Sequence, residues 1–242
     1  MTFTILTVVA EDSPAHPFVP VPGDSPDTVE LEPSDGNYIV AAANYLTVRT
    51  TEPSRSSPNS RIMRVPDIKA TVLITDQRVA VACSKFDKGS TWTPLGGLAS
   101  GAIALTGTAI SKSRATKRRR GRMLVGQIRY PWLVNVGFTE KTGFGSQELL
   151  RLGIVNPDPN EANGLILDID LSRGQSAREI ARDIVRRAAR YRLDNDSSMP
   201  SEEQRLTEAL LDPPQLERIK NKFASYFFVE APPRMVDAYQ SF

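Results

Sequence analysis

The residues best equipped for chemistry in this 242-residue chain are cationic. Seven Lys or Arg fall within the eleven positions from Lys112 to Arg122: Lys112, Arg114, Lys117, Arg118, Arg119, Arg120 and Arg122. They follow a run of twenty-three uncharged residues that begins after Lys88. Ammonium and guanidinium groups at this density hold anions, whether phosphates of a lipid surface or of nucleic acid. Other reactive types are sparse. His16 is the only histidine and lies in a Pro-rich stretch, so no Ser-His or Cys-His pair and no His-based metal site can be assembled. Cys83 is the only cysteine, which excludes an intrachain disulfide; its strand position makes it a core residue rather than a nucleophile. Asp168 and Asp170 share one face of an expected strand, without further oxygen ligands at recognisable spacing, and are read as a solvated edge. Gly143 and Gly145 sit in a Lys-Thr-Gly-Phe-Gly-Ser stretch that lacks the full phosphate-loop pattern and reads as a turn. These residues point to a non-catalytic binding module, with no catalytic residue, metal or cofactor assigned.

Charge divides the chain into three parts. Residues 1–53 carry eight acids and one base, net −7; residues 54–193 carry 24 bases and 11 acids, net +13; residues 194–242 carry five bases and nine acids, net −4. A basic middle between acidic ends attracts phosphate-rich partners, while the ends compete for the same cationic face. The expected organisation is a short strand and acidic Pro-rich linker over 1–37, a folded domain over 38–193, and an acidic linker with a helical, aromatic tail over 194–242. The opening Met1 to Ala10 lacks a cationic start and runs into Glu11 and Asp12, so it reads as a strand and not as a signal segment. Six prolines and seven acids between Glu11 and Gly36 suggest a flexible linker.

The domain that must position the cations reads mainly as β with α. Ile68, Ala70, Val72 and Ile74 alternate with polar residues, Asp76 and Gln77 make a tight turn, and Val79, Val81 and Cys83 share a face, which predicts a hairpin. Further strands are expected at Tyr38 to Arg49, where an alanine run also allows a helix, and at Met123 to Arg129, Trp132 to Phe138, Glu148 to Val155 and Leu165 to Leu171. Ser176 followed by Glu179 is a capping box, and Ala177, Ile180, Ala181, Ile184, Ala188 and Tyr191 form an apolar helical stripe. Arg178, Arg182, Arg186 and Arg190 give that helix a basic ridge, read as solvated. Helices are also expected over Ser201 to Leu211 and Leu216 to Tyr226. The aromatic group Phe223, Tyr226, Phe227 and Phe228 is expected to dock back on the domain.

Seven strands closed by an amphipathic helix, with Thr75, Asp76 and Arg78 in the hairpin, resemble the bacterial pleckstrin-homology-like and GRAM-like domains over roughly Tyr38 to Leu193. The resemblance implies a bent antiparallel β-sandwich or partly open barrel capped by the helix. It also implies a module that binds membrane lipid or protein and is not itself an enzyme. In the lipid-binding branch, cations of the first inter-strand loop grip the head group; here that loop is Thr50 to Asp67, with Arg55, Arg61 and Arg64.

The departure from that pattern is an insertion over 85–122 between the third and fourth of those seven strands. Gly97 and Gly101 form a small-xxx-small pair among Leu98, Ile103 and Leu105, with Trp92 placed for an interface. Five large aliphatics among hydroxyls and glycines make a poor bilayer span and a better surface-lying helix. The expected partner is therefore an anionic lipid surface, met peripherally, with the chain cytoplasmic at the inner membrane face. The alternative is a protein partner or a homo-oligomer built on the Gly97 and Gly101 face. Nucleic acid ranks last, because aromatic interleaving and known reading motifs are missing.

Overall fold

The computed structural model describes residues 6–10, 19–25, 27–50, 63–65, 70–84, 122–139, 148–154, 165–212 and 225–228. Ten strands among them form one antiparallel sheet. They are β1 (Leu6–Ala10), β2 (Ile39–Thr50), β3 (Met63–Val65), β4 (Ala70–Ile74), β5 (Arg78–Cys83), β6 (Arg122–Arg129), β7 (Leu133–Thr139), β8 (Leu149–Ile154), β9 (Leu165–Leu171) and β10 (Ser225–Phe228). Their order is β1-β6-β5-β4-β2-β9-β8-β7-β10, with β3 paired to β2. All seven strands expected from periodicity are present; β3 lies inside the stretch expected to be a loop.

The sheet bends at β2, whose length lets it serve two half-sheets. Ile39 to Ala43 pair with β4, whereas Tyr45 to Thr50 pair with β9, and the register breaks between Ala43 and Tyr45. An extra residue in one strand bends it and increases its twist. Here the break is pinned by Asn44, whose Nδ2 donates to the Leu171 carbonyl at 3.2 Å and whose Oδ1 accepts from Ser172 Oγ at 3.1 Å. The inward residues of both halves, among them Leu46, Ile74, Val81, Ile128, Val136, Leu152 and Ile169, belong to one buried cluster. The sheet thus curls around a shared core, each full-size aliphatic contributing about 1.5–3 kcal/mol by burial.

Helix α1 (Ala177–Asn195) closes that core with Ile180, Ile184 and Ala188 of the stripe that the spacing predicted, and with Val185 beside it. Ser176 Oγ accepts the Glu179 N–H at 3.3 Å, while the Glu179 carboxylate lies 3.6 Å from Arg182. Helix α2 (Ser201–Ala209) follows and is tied to α1 by Arg192 to Glu203 at 3.3 Å.

The acidic stretch departs from the expectation of a free linker. Among its described residues, Val29 is buried with Leu73, Ala80, Ala82, Met123 and Val125 on the outer face of β4, β5 and β6. Val21 and Glu30 share a backbone hydrogen bond of 2.9 Å, and Pro33–Asp35 is a 3-10 turn that ends at Gly36. Gly36 has φ +57°, and a Cβ there would collide with the Asp76 carboxylate, so glycine is needed on both counts. This strap buries β5 on both faces. The small side chains of Ala80 and Ala82 give it room to approach.

The tail also differs from its expectation. Residues 225–228 are a strand, so 225–226 do not end a helix, while 213–224 lie outside the described residues.

Candidate binding surface

Strand polarity decides where the predicted cations attach. In the continuous sheet β2, β5 and β8 run one way and β4, β6, β7 and β9 the other. The C-terminal ends of β2, β5 and β8 therefore share a direction. Thr50 and Ile154 both stand opposite Leu165, while Cys83, opposite Leu124, is level with Ala43 of β2, before the register break. The segments 51–62 and 155–164 begin from one end of the β2, β9 and β8 half-sheet, and 85–121 begins from the end of β5. Because β5 and β6 are direct neighbours, the insertion starts and finishes at a single hairpin tip.

The sequence-derived cations divide accordingly. Arg64 lies in β3 and Arg122 opens β6. Arg55, Arg61, Lys112, Arg114, Lys117, Arg118, Arg119 and Arg120 lie outside the described residues, as do Trp92, Gly97, Leu98, Gly101, Ile103 and Leu105. In the basic ridge of α1, Arg186 and Arg190 are exposed and Arg178 and Arg182 half-buried; Arg187 and Arg192, outside the ridge, are the more committed arginines of this helix. Arg178 sits 5.7 Å above the Phe138 ring. Arg186 Nε donates to the Leu211 carbonyl at 3.1 Å. Arg187 donates to Asp183 at 2.7 Å, to the Asn37 carbonyl at 2.7 Å and to Asp76. Burial by itself lowers the Arg187 pKa, but its hydrogen bond to Asp183 and the nearby carboxylates outweigh that and leave it raised. For Arg192 burial prevails over Glu203 and Asp196, and its pKa is lowered.

The opposite end of the sheet is locked by the hairpin residues Thr75, Asp76 and Arg78. Thr75 Oγ1 accepts the N–H groups of Gln77 at 3.1 Å and Arg78 at 3.0 Å, taking the place of a turn carbonyl. Its hydroxyl donates to Asp35 Oδ1 at 2.8 Å, and the Thr75 carbonyl accepts from Tyr130 Oη at 2.6 Å. Tyr130 is deeply buried, which raises its pKa well beyond the ordinary phenol range; Arg187 opposes the shift without cancelling it. Asp76 accepts the Asn37 N–H at 2.9 Å and the Arg187 guanidinium. Arg78 is only 2% exposed, and each of its three guanidinium nitrogens donates to oxygen. Nε and Nη2 grip Asp35 at 3.1 and 2.7 Å, Nη2 also reaches the Glu30 carbonyl at 3.1 Å, and Nη1 meets Gln127 at 2.6 Å and Glu32 at 3.0 Å. Glu32 also pairs with Arg129 at 2.9 Å. The hairpin motif thus joins the sheet to the strap and to α1, and its arginine is fully committed to that joint.

Asp168 and Asp170 are not a solvated edge. Asp168 is 7% exposed and takes a forked bond from Arg151, with Nε at 2.6 Å and Nη2 at 3.2 Å. Asp170 is 9% exposed; burial raises its pKa, and a hydrogen bond from Asn44 opposes the shift. Among the described residues no group of three His, Cys, Asp or Glu could hold a metal ion. No described helix is long and apolar enough to cross a membrane.

Sequence reasoning missed the strap joint. The composition of 11–36 suggested solvation, and the only available sign was Arg78 falling on the outward parity of β5 beside Ala80 and Ala82. Such a cation on a small-residue face calls for a covering carboxylate. Comparison with family models, with curated proteins and with solved structures finds no match to this chain.

Proposed function

We propose that this protein is a non-catalytic binding module of the pleckstrin-homology-like kind that attaches peripherally to an anionic membrane surface. The observation that carries the proposal is the shared direction of β2 and β5, from whose C-terminal ends 51–62 and 85–121 begin, since those segments hold Arg55, Arg61 and six of the seven clustered cations. Two further features support it. Seven antiparallel core strands with α1 packed across them are compatible with the bent, helix-capped sheet that the resemblance implies. Glu32 and Asp35 are bound to Arg78 and Arg129 at the opposite end, so these two acids do not neutralise the cluster.

Each cation near an anionic leaflet contributes at most about 1 kcal/mol, so the cluster supplies several and the attachment is reversible and salt-sensitive. Co-sedimentation with vesicles tests this. Vesicles containing phosphatidylserine should retain the protein at low salt and release it at high salt, while phosphatidylcholine vesicles retain none. Reversing Arg118, Arg119 and Arg120 to Glu should abolish retention. Failure of acidic vesicles to retain the protein at low salt sinks the proposal. Retention unchanged by the reversal moves the site elsewhere, and preferential capture by a homopolymer oligonucleotide replaces the lipid with nucleic acid.

A further inference from the structure

The seven-strand core leaves two edges, β6 and β7, and the chain covers each with a strand from one of its own ends. β1 lies along β6 from Leu6 opposite Gly126 to Ala10 opposite Arg122. β10 lies along β7, with Ser225 opposite Phe138, Tyr226 opposite Gly137, Phe227 opposite Val136 and Phe228 opposite Asn135. An edge strand presents a row of unpaired N–H and C=O groups that any extended segment of suitable register can complete.

The two covers differ in how they are joined to the core. The strap that follows β1 is buried and carries the Asp35 to Arg78 ion pair. β10 is four residues long and is separated from α2 by 213–224, a stretch that contains Pro213 and Pro214. Its contour spans up to roughly 45 Å when fully extended. The sequence that fits this edge is given by the molecule itself, because Ser225–Phe228 occupies it. The same four residues on another copy fit equally well, which is the condition for exchange of an identical element between protomers.

We propose that β7 is a strand-acceptor site for the Ser225–Phe228 segment of a second copy of this chain, so that two molecules associate by reciprocal exchange of β10. The exchanged form makes the same backbone bonds as the closed form, and concentration selects between them. This inference does not depend on the membrane reading, and a protein that ignores vesicles can still exchange strands.

Disulfide trapping in the full-length chain tests it, with Cys83 fully buried and out of reach of the reaction. Asn135→Cys and Phe228→Cys place thiols at register positions that face each other. The double variant should close a bond within one chain at low concentration and bonds between chains at high concentration. An equimolar mixture of the two single variants, each lacking the other's thiol, should form a mixed disulfide pair. That yield should rise at least tenfold from micromolar to near-millimolar protein, and should vanish when Tyr226→Pro is added to the Phe228→Cys chain. A double variant that closes only within the chain, together with no mixed pair at any concentration, overturns the proposal. So does the absence of any bond in the double variant.

Discussion

The two edges of the core sheet are covered by strands from opposite ends of the chain, but by different physics. On the β6 side the cover continues into a strap held by a desolvated ion pair, two hydrogen-bonded turns and an apolar cluster on the outer face of the sheet. On the β7 side it is a strand of four residues in register with β7. A strand addition is held more firmly when buried groups anchor the chain that follows it as well. Stability within one domain spans from almost nothing at loosely held termini to the global value in the core, and the strap places the β6 cover toward the upper end of that scale.

Asp35→Ala should break the comparison most severely. It leaves the Arg78 guanidinium buried without its carboxylate, and loss of one partner of a buried pair costs about 3–5 kcal/mol. Urea unfolding should show this as a fall in midpoint with an unchanged slope. Replacing the pair by Asp35→Leu with Arg78→Met should recover most of the loss. If the single change costs under about 1 kcal/mol, the strap is not held by this pair.

Thr75→Val keeps the shape of the side chain but removes a hydroxyl that accepts two N–H groups and donates to Asp35. Buried groups left unsatisfied cost about 1–3 kcal/mol, so an intermediate destabilisation is expected in the same unfolding assay. Tyr226→Pro, on the β7 side, should change global stability by less than about 1 kcal/mol. Amide exchange along Asn135 to Phe138 should nevertheless accelerate markedly, while exchange along β6 stays slow. Equal acceleration on both edges would erase the distinction between the two covers.

Asp170→Asn should have the smallest effect and the opposite sign. Burial raises the Asp170 pKa in the folded state, so its favourable contribution is fully present below the unfolded pKa and is lost as pH rises through the folded one. The amide removes that loss. The variant should therefore be slightly more stable than the parent at neutral pH, with the difference shrinking to nothing below about pH 4. A gain that persists unchanged into acid would assign the effect to something other than the carboxyl.

Legibility followed the range of each interaction. The Val72 to Cys83 hairpin, the strand Leu165 to Leu171 and the stripe of α1 were readable because strand and helix periods show within a few residues. The docking of 27–37 was not. Acid-rich, proline-rich composition argues for solvation, and only a partner 43 positions away tips the balance toward burial. Asp168 and Asp170 escaped a correct reading for the same reason. Their outward parity was right, but Arg151 from β8 and Asn44 from the β2 bulge enclose them. At the tail, the helical reading of 216–226 yielded to strand pairing for its last residues, 225–226, because an open edge on β7 offered backbone partners that no local propensity reveals. Of the candidate surface, the cations and their clustering were evident from the outset. The strand ends from which their segments begin were not.

By itself, then, the amino-acid order determined the strands, the closing helix, the shortage of nucleophiles and metal ligands, and the concentration of positive charge near residues 112–122. These are properties of neighbours along the chain, set by side-chain period and composition. Only the tertiary structure decided which carboxylate neutralises Arg78, which outer face is covered, how β2 divides its two sides between half-sheets, and which terminal strand lies on which edge. Those outcomes depend on strand direction and on contacts between distant residues, where burial makes each unpaired polar group costly and so selects its partner.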